Sequence, residues 1–507
     1  MLNTLKKHAK ANNIKKFEQI ILNSPEKLFD TPFIKDVYSI FKTIVLKDSQ
    51  LSQFQTSTLL LTAWLALLSG DNPNLFLLAK RVQDSESWFK EPEGPYTPDH
   101  YSALYEDLQA LSGIFGDPED RLIHSKKALE ILGKDDHSFF MANAKLTHGQ
   151  ILVGNERPRE GAEFFFQAYE LFQQNDLAFP ASVSLTNAML NWFRLGEFKR
   201  LIQESKKALM INSSYQGEKQ NFWGIIQLPL GMCYYEQGKP KLAIKHLKQA
   251  MKAIDQLKLI HMHGYIEIYL MKAYAIIEDE KGLKKMTQYA EKLFQNMHYP
   301  MMEWIVLYGQ FLLEKNLPKK DIEHLEASFD ENQYKHLILI EMLAVLFLNN
   351  QTQHFNLEIL TDAIAKSRYN GDIISLQTLL FLLGDYYFQK RDEKAAKAIL
   401  KEALDINEEY QLQSPLYLYE LHFWPLIKQL NPSIKAPEKQ EVPLEPLTQK
   451  EREIIVLIAS GKSNNDIANK LFISLGTVKW HTTNIFGKLG VKNRIQAVEK
   501  AKKYNYL

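Results

Sequence analysis

The chain of 507 residues has one cysteine, Cys233, so no intramolecular disulfide can form and a reducing compartment fits. Glycine (22) and proline (19) are scarce for this length, which disfavours turn-rich β structure and favours long helices. Long hydrophobic runs are lacking as well. The two greasiest stretches, 59–68 and 337–348, are too short to span a bilayer. The opening residues, MLNTLKKHAKANNIKKFEQ, carry lysines but no apolar h-region and no cleavage signal. A cytoplasmic chain with no membrane partner is expected. No nucleophile–base pair, metal-ligand cluster or phosphate loop emerges, which argues against an enzyme and against a cofactor or metal.

What is present is a soluble-globular composition, 45% apolar and 24% charged, on a chain too long for one ordinary core. Several domains or a repeat array are expected. The net charge of +1 hides an asymmetry: residues 446–507 hold eleven Lys/Arg against four acids, leaving 50 against 56 in residues 1–445. A basic tail of net +7 on a mildly acidic body points to one polyanion-binding module.

Residues 1–430 repeat apolar positions at i, i+3, i+4 and i+7, the period of amphipathic helices, with no convincing alternating strand. One unit stands out, with Leu230, Gly231, Tyr234, Gly238, Ala243, Leu247 and Ala250. A second has Leu383, Gly384, Tyr387, Ala396, Leu400 and Ala403 at the same offsets, with Arg391 where the first has its turn glycine. Both resemble tetratricopeptide repeats, in which a small residue lets two helices approach. Weaker copies lie around Gly70 and Gly116, across 149–168, and at Gly196. The resemblance implies a TPR-like α-solenoid of about ten hairpins at the usual 34–45 residues each.

Trp192, Phe222 and Trp223 are candidates to line a ligand or partner surface on that solenoid. Aromatics at helical spacing between stacked hairpins are more often core, however. The histidines of His261-Met262-His263 and of Glu323-His324 read as surface or packing residues, because i and i+2 on a helix point in different directions.

Residues 431–446 carry four prolines in sixteen positions, which stops any helix and predicts an extended tether. Beyond it, residues 447–507 form four short helical patterns. Thr448-Gln-Lys-Glu451 is a capping box, and Ser463 caps a second helix. A three-residue turn, 472–474, leads to a third helix with Val478, His481, Ile485 and Leu489 on its inner face. Lys479, Trp480, Thr483 and Gly487 lie opposite, with Asn484 and Lys488 flanking. Gly490 ends this helix, and Asn493 with Gln496 opens a fourth bearing Arg494. His481 reads as half-buried packing. A short helix, tight turn and second helix form a unit that presents a recognition helix to DNA.

The stretch 446–507 resembles a LuxR-type helix-turn-helix domain. The resemblance rests on Leu447-Thr448, Glu451-Arg452-Glu453, Ser463-Asn464, Ile467-Ala468, Ile473-Ser474, Thr477-Val478-Lys479, His481, Lys488-Leu489-Gly490-Val491 and Asn493-Arg494. It implies double-stranded promoter DNA as partner, with Ser474, Thr477, Lys479, Trp480, Thr483, Asn484, Lys488 and Arg494 as DNA contacts. It also implies a fourth helix able to form a homodimer.

Solenoid, linker and this domain together are similar in order to MalT-like regulators. That similarity implies an activator whose solenoid senses a small-molecule inducer or protein partner and which meets RNA polymerase. The nucleotide-binding ATPase of those regulators is not found in these residues: Gly461-Lys462-Ser463 imitates a P-loop, but the glycine it needs is replaced by Val456. The competing reading is a TPR scaffold for protein binding with DNA tethering secondary.

Overall fold

The structure is a computed structural model. It describes every residue except 47–50, 86–93, 113–119, 135, 213–221, 260–261, 298–299, 315–316, 332–336, 353–356, 414–417, 420, 435–446, 492 and 504–505. Among the described residues there are 26 α-helices and no strand. The proposed linker falls mostly on residues 435–446, and these, with His261 and the start of the weak repeat copy at Gly116, lie outside the described residues.

Three leading helices, α1 (Leu2–Lys10), α2 (Ile14–Asn23) and α3 (Ile34–Ile44), precede a run of helix pairs. The pairs begin with α4 (Thr56–Ser69) and α5 (Asn72–Gln83), α6 (Pro98–Ser112) and α7 (Asp120–Leu132), then α8 (Phe139–Gly154) and α9 (Pro158–Gln174). Next come α10 (Ala178–Arg194) and α11 (Phe198–Asn212), α12 (Gln227–Glu236) and α13 (Pro240–Leu257), then α14 (Tyr265–Ile276) and α15 (Glu280–Met297). The run ends with α16 (Pro300–Glu314) and α17 (Lys319–Glu331), α18 (Leu337–Leu348) and α19 (Leu357–Asn370), then α20 (Ile373–Gln389) and α21 (Glu393–Tyr410). A short α22 (Trp424–Leu430) follows.

The two members of a pair differ in kind. First helices such as α4, α12 and α20 are buried on nearly every side. Second helices such as α13 and α21 bury only a stripe, Ala243/Leu247/Ala250 in one and Ala396/Leu400/Ala403 in the other. First helices therefore form an inner layer and second helices an outer one.

In the two clearest pairs the close approach depends on a glycine. A Cβ added to Gly231 would stand 2.7 Å from Leu247 Cγ, and one added to Gly384 the same distance from Leu400 Cγ. The two best sequence repeats thus share one close approach. Their turns also share a left-handed residue, Gly238 at φ 68° and Arg391 at φ 61°, so the arginine adopts the turn without the usual glycine.

The inner layer curls far enough for distant pairs to meet. Helices α10 and α20 touch, and Arg194 Nε donates to Asp372 Oδ2 at 3.0 Å. Lys366 pairs with Glu156 at 2.8 Å, and the Tyr410 ring packs against Gly196. One continuous apolar core runs through the body, from Leu5 to Ile427.

Within it, Trp192 and Trp223 are fully buried and Phe222 nearly so. Trp192 lies under the Arg200 guanidinium at 4.2 Å and against Phe166. Trp223 meets Tyr169 edge-on, and Phe222 meets Phe179. Stacking of the pairs seals these rings between layers, so they are core and not an exposed lining. The described histidines of the two sequence motifs lie against carboxylates. His263 lies between Glu267 (2.9 Å) and Asp255 (3.2 Å), and His324 reaches Glu303 at 2.9 Å. Among the described residues no helix is long and apolar enough to cross a membrane.

Candidate nucleic-acid interface

Residues 447–507 build a separate core from four helices: α23 (Gln449–Ala459), α24 (Asn464–Leu471), α25 (Leu475–Leu489) and α26 (Arg494–Lys503). Leu447, Ile454, Ile455, Leu457, Ile458, Ile467, Ala468, Val478, Ile485, Leu489, Ala497 and Ala501 fill it.

Each helix start is satisfied by its own side chains. Thr448 Oγ1 accepts from Glu451 N at 3.3 Å while Glu451 Oε2 accepts from Thr448 N at 2.7 Å, a complete capping box. Ser463 and Asp466 repeat the device at α24. Those hydrogen bonds hold the exposed Asp466 carboxyl below its usual range. Phe472 closes α24 in the left-handed region at φ 54°. Ser474 Oγ then accepts from Thr477 N at 3.0 Å to open α25, and Gly490 at φ 61° ends it. Asn493 Oδ1 accepts from Gln496 N at 2.9 Å at the start of α26.

Helix α25 is held from below by Val478, Ile485 and Leu489, all buried. His481 is half-buried, edge-on to Trp480 at 4.8 Å between ring centres. Its Nδ1 has no hydrogen-bond partner among the described residues, so its part is packing. The opposite side is open: Ser474, Leu475, Gly476, Lys479, Trp480, Thr483 and Gly487 are exposed, with Thr477 and Asn484 half-buried beside them. Trp480 leaves 62% of its surface in solvent. Lys479 has no acidic partner among the described residues, and Thr483 Oγ1 donates only to Lys479 O at 3.1 Å. An ammonium and an indole face therefore share one exposed stripe with their binding capacity unspent, and the Thr483 hydroxyl beside them keeps its acceptor lone pairs free.

Lys488 and Arg494 are placed differently. Lys488 Nζ lies 2.8 Å from Glu451 Oε2, and the carboxylate is only 3% exposed. Burial opposes ionisation of Glu451, but the hydrogen bonds from Lys488 and Thr448 prevail and hold its carboxyl below the usual range. Arg494 Nη2 donates to Ile458 O at 3.1 Å and to Lys462 O, so it caps the end of α23. Both cations therefore brace the domain. The motif spacing carried no sign of these pairings, which join positions 32 to 37 residues apart. Nor did it mark Phe472, whose ring is 95% exposed in the turn.

A helix held on its support with a free polar face defines a helix-turn-helix DNA-binding domain. Comparison with known proteins specifies it: residues 445–501 match the family described as "Bacterial regulatory proteins, luxR family", and residues 378–410 match the tetratricopeptide repeat. The chain therefore carries a LuxR-family helix-turn-helix domain at its C-terminal end and a tetratricopeptide repeat in an all-helical N-terminal region.

Over 56 residues it is 54% identical to the transcriptional regulatory protein LiaR of Bacillus subtilis, covering 11% of this chain and 26% of that one. Over 55 residues it is 54% identical to the CsgBAC operon transcriptional regulatory protein of Escherichia coli, again 11% and 26%. Over 82 residues it is 43% identical to the response regulator protein VraR of Staphylococcus aureus, covering 16% and 37%. The chain thus spans only about a quarter to just over a third of the length of these curated relatives. The likeness extends to transcription-regulating DNA-binding domains, and no catalytic domain is among the matches.

Proposed function

We infer that the chain is a sequence-specific transcription regulator, acting as an activator in the cytoplasm. Its helical-repeat region, residues 1–430, senses a small ligand or protein partner. Its 447–507 domain, tethered by 431–446, reads promoter DNA as a homodimer and brings RNA polymerase to the site. The observation that carries this reading is the unspent face of α25: Lys479, Trp480 and Thr483 project from a helix whose cap and inner face are already satisfied. Lys479 donates to guanine O6/N7, Trp480 lies against sugar edges or a thymine methyl, and Thr483 and Asn484 reach a base edge or phosphate. Ser474 and Thr477, at the positive end of α25, approach a phosphate. Lys488 and Arg494 contribute positive potential more than direct contacts, since both are engaged internally.

Footprinting of the full chain on its own chromosome tests the reading. Protection of discrete sites is expected. Binding that shows no preference over non-specific duplex sinks it.

A further inference from the structure

The open side of α25 carries one group whose chemistry hydrogen bonding does not account for. Trp64, Trp192, Trp223 and Trp304 are buried and Trp424 is half-buried, so among the described tryptophans Trp480 alone is exposed. It belongs to no core: the apolar cluster of residues 447–507 is filled without it. Its ring meets the half-buried His481 edge-on, and most of the indole stays in solvent.

The helix around it is bare. At about 100° per residue, Trp480 stands opposite the buried Val478 and Leu489. Gly476, one turn earlier, and Gly487, two turns later, lie within about 40° of it. A Cβ added to Gly476 would meet only Ser474 Oγ at 3.6 Å, and one added to Gly487 would meet nothing within 4 Å. The indole therefore does not lie down on either glycine, and no side chain at those two positions shields it. Bare backbone before and after the ring lets the crest of α25 approach a groove floor closely.

At a major-groove floor the base edges offer donors, acceptors and one apolar feature, the C5-methyl of thymine. Lys479, Thr483 and Asn484 can serve the donors and acceptors. An indole has a single N–H donor and no acceptor, so a broad apolar ring on the crest gains most from the methyl. Deoxyribose edges line the walls of a groove about as wide as a helix, and so face the helix flanks and not its crest.

We propose that Trp480 reads a pyrimidine C5-methyl group in the major groove. The chain then distinguishes thymine from uracil, and 5-methylcytosine from cytosine, at one position of each half-site. A methylated C·G pair presents the same methyl as a T·A pair, so cytosine C5-methylation at that position raises affinity. The proposal rests on the regulator reading above and names the base feature that its recognition helix takes.

The test uses the full chain and duplexes built on a site protected in the chromosomal footprint. Each thymine is replaced in turn by uracil, which removes the methyl and keeps every hydrogen-bonding group, and affinity is read by fluorescence anisotropy. At one thymine per half-site the loss should be about four-fold, the worth of one buried methyl or methylene group. W480A should bind the thymine and uracil duplexes alike. With that T·A pair changed to C·G, methylation of the cytosine should recover about four-fold in the parent and nothing in W480A. The fold of W480A should be intact, since the ring lies outside the core. Should W480A bind too weakly to titrate, W480Q at lower salt gives the same comparison.

A uracil series with no effect at any thymine, or an effect that W480A retains, overturns the proposal. Equal weakening of every duplex by W480A, with no response to the methyl, also overturns it and puts the indole on sugar edges. If no duplex is preferred over non-specific DNA, the regulator reading falls and the methyl reading with it. If one site is preferred while its methyl groups go unread, the methyl reading falls alone.

Discussion

At the scale of single residues, basic side chains on and beside α25 divide by what they already hold. Lys479 is uncommitted, so Lys479→Ala should leave the fold intact and relax specificity at one base pair. The expected cost is about 1–3 kcal/mol for the preferred base, read from affinities across a series of single-base variants of the site. Lys488→Ala should do the reverse. It strands the buried Glu451 carboxylate, lowering the unfolding free energy of the domain by about 1.5–3 kcal/mol in urea melts while base preference is kept. Two histidines of the body give opposite pH slopes. His148 is buried against Ser125, and burial with the nearby Lys126 and Arg157 charges lowers its imidazole to about 4. The unfolded chain takes up that proton first, so stability should fall as pH drops from about 6.5 to about 4. His148→Gln should flatten that limb. His263 is raised: burial opposes its charge, but Glu267 and Asp255 prevail. Its contribution is complete below the unfolded value of about 6.5 and disappears as pH rises through the higher folded value. His263→Gln should therefore cost stability at pH 6 and little at pH 9, measured by denaturant midpoints.

At the scale of elements, glycine-to-alanine changes separate packing from propensity. Alanine normally stabilises a helix interior over glycine by about 0.5–1 kcal/mol. Gly487, on the exposed side of α25 with open space around it, should follow that rule, and G487A should raise the melting temperature of the domain. Gly384 should break it. Its added methyl would press on the buried Leu400 side chain, so G384A is expected to destabilise the body by about 1–3 kcal/mol in calorimetry. These two glycines also mark what the sequence made legible. Helix starts and stops were readable because caps are local: Thr448 with Glu451, Ser463, and Gly490 each act within four residues. The repeat was readable because Gly231 and Gly384 recur with the same partners one hairpin arm away. The Lys488–Glu451 pair, the meeting of α10 with α20, and the return of Tyr419 to Glu341 were not. They join positions 37 to 178 residues apart, and their register is set by how the pairs curl, which no local period records. The same limit applied to Trp192, Phe222 and Trp223, whose spacing could not tell an inner face from a sealed layer.

At the scale of the whole molecule, the two cores make different demands on an experiment. The core of residues 447–507 is complete in itself, with every buried member lying between Leu447 and Ala501 and every described helix start capped from within. A fragment of 440–507 should therefore fold without the solenoid and melt cooperatively. Its charge of net +7 over 446–507, against −6 for residues 1–445, concentrates the attraction for phosphate in this one module. A protein that neutralises about six to ten phosphates, as the proposed homodimer would, loses roughly 10³–10⁵ in affinity between 50 and 200 mM salt. The fragment and the full chain should share that salt slope, because the same lysines and arginines meet the backbone in both. If the body restrains the DNA-binding domain as proposed, their affinities at any one salt concentration should differ. Fluorescence anisotropy titrations of both proteins on one promoter site, at four salt concentrations, separate the two quantities. Parallel lines with an offset support a solenoid that restrains a self-sufficient reader. Lines of different slope would mean that body residues also touch DNA, and coincident lines would mean that the body exerts no restraint.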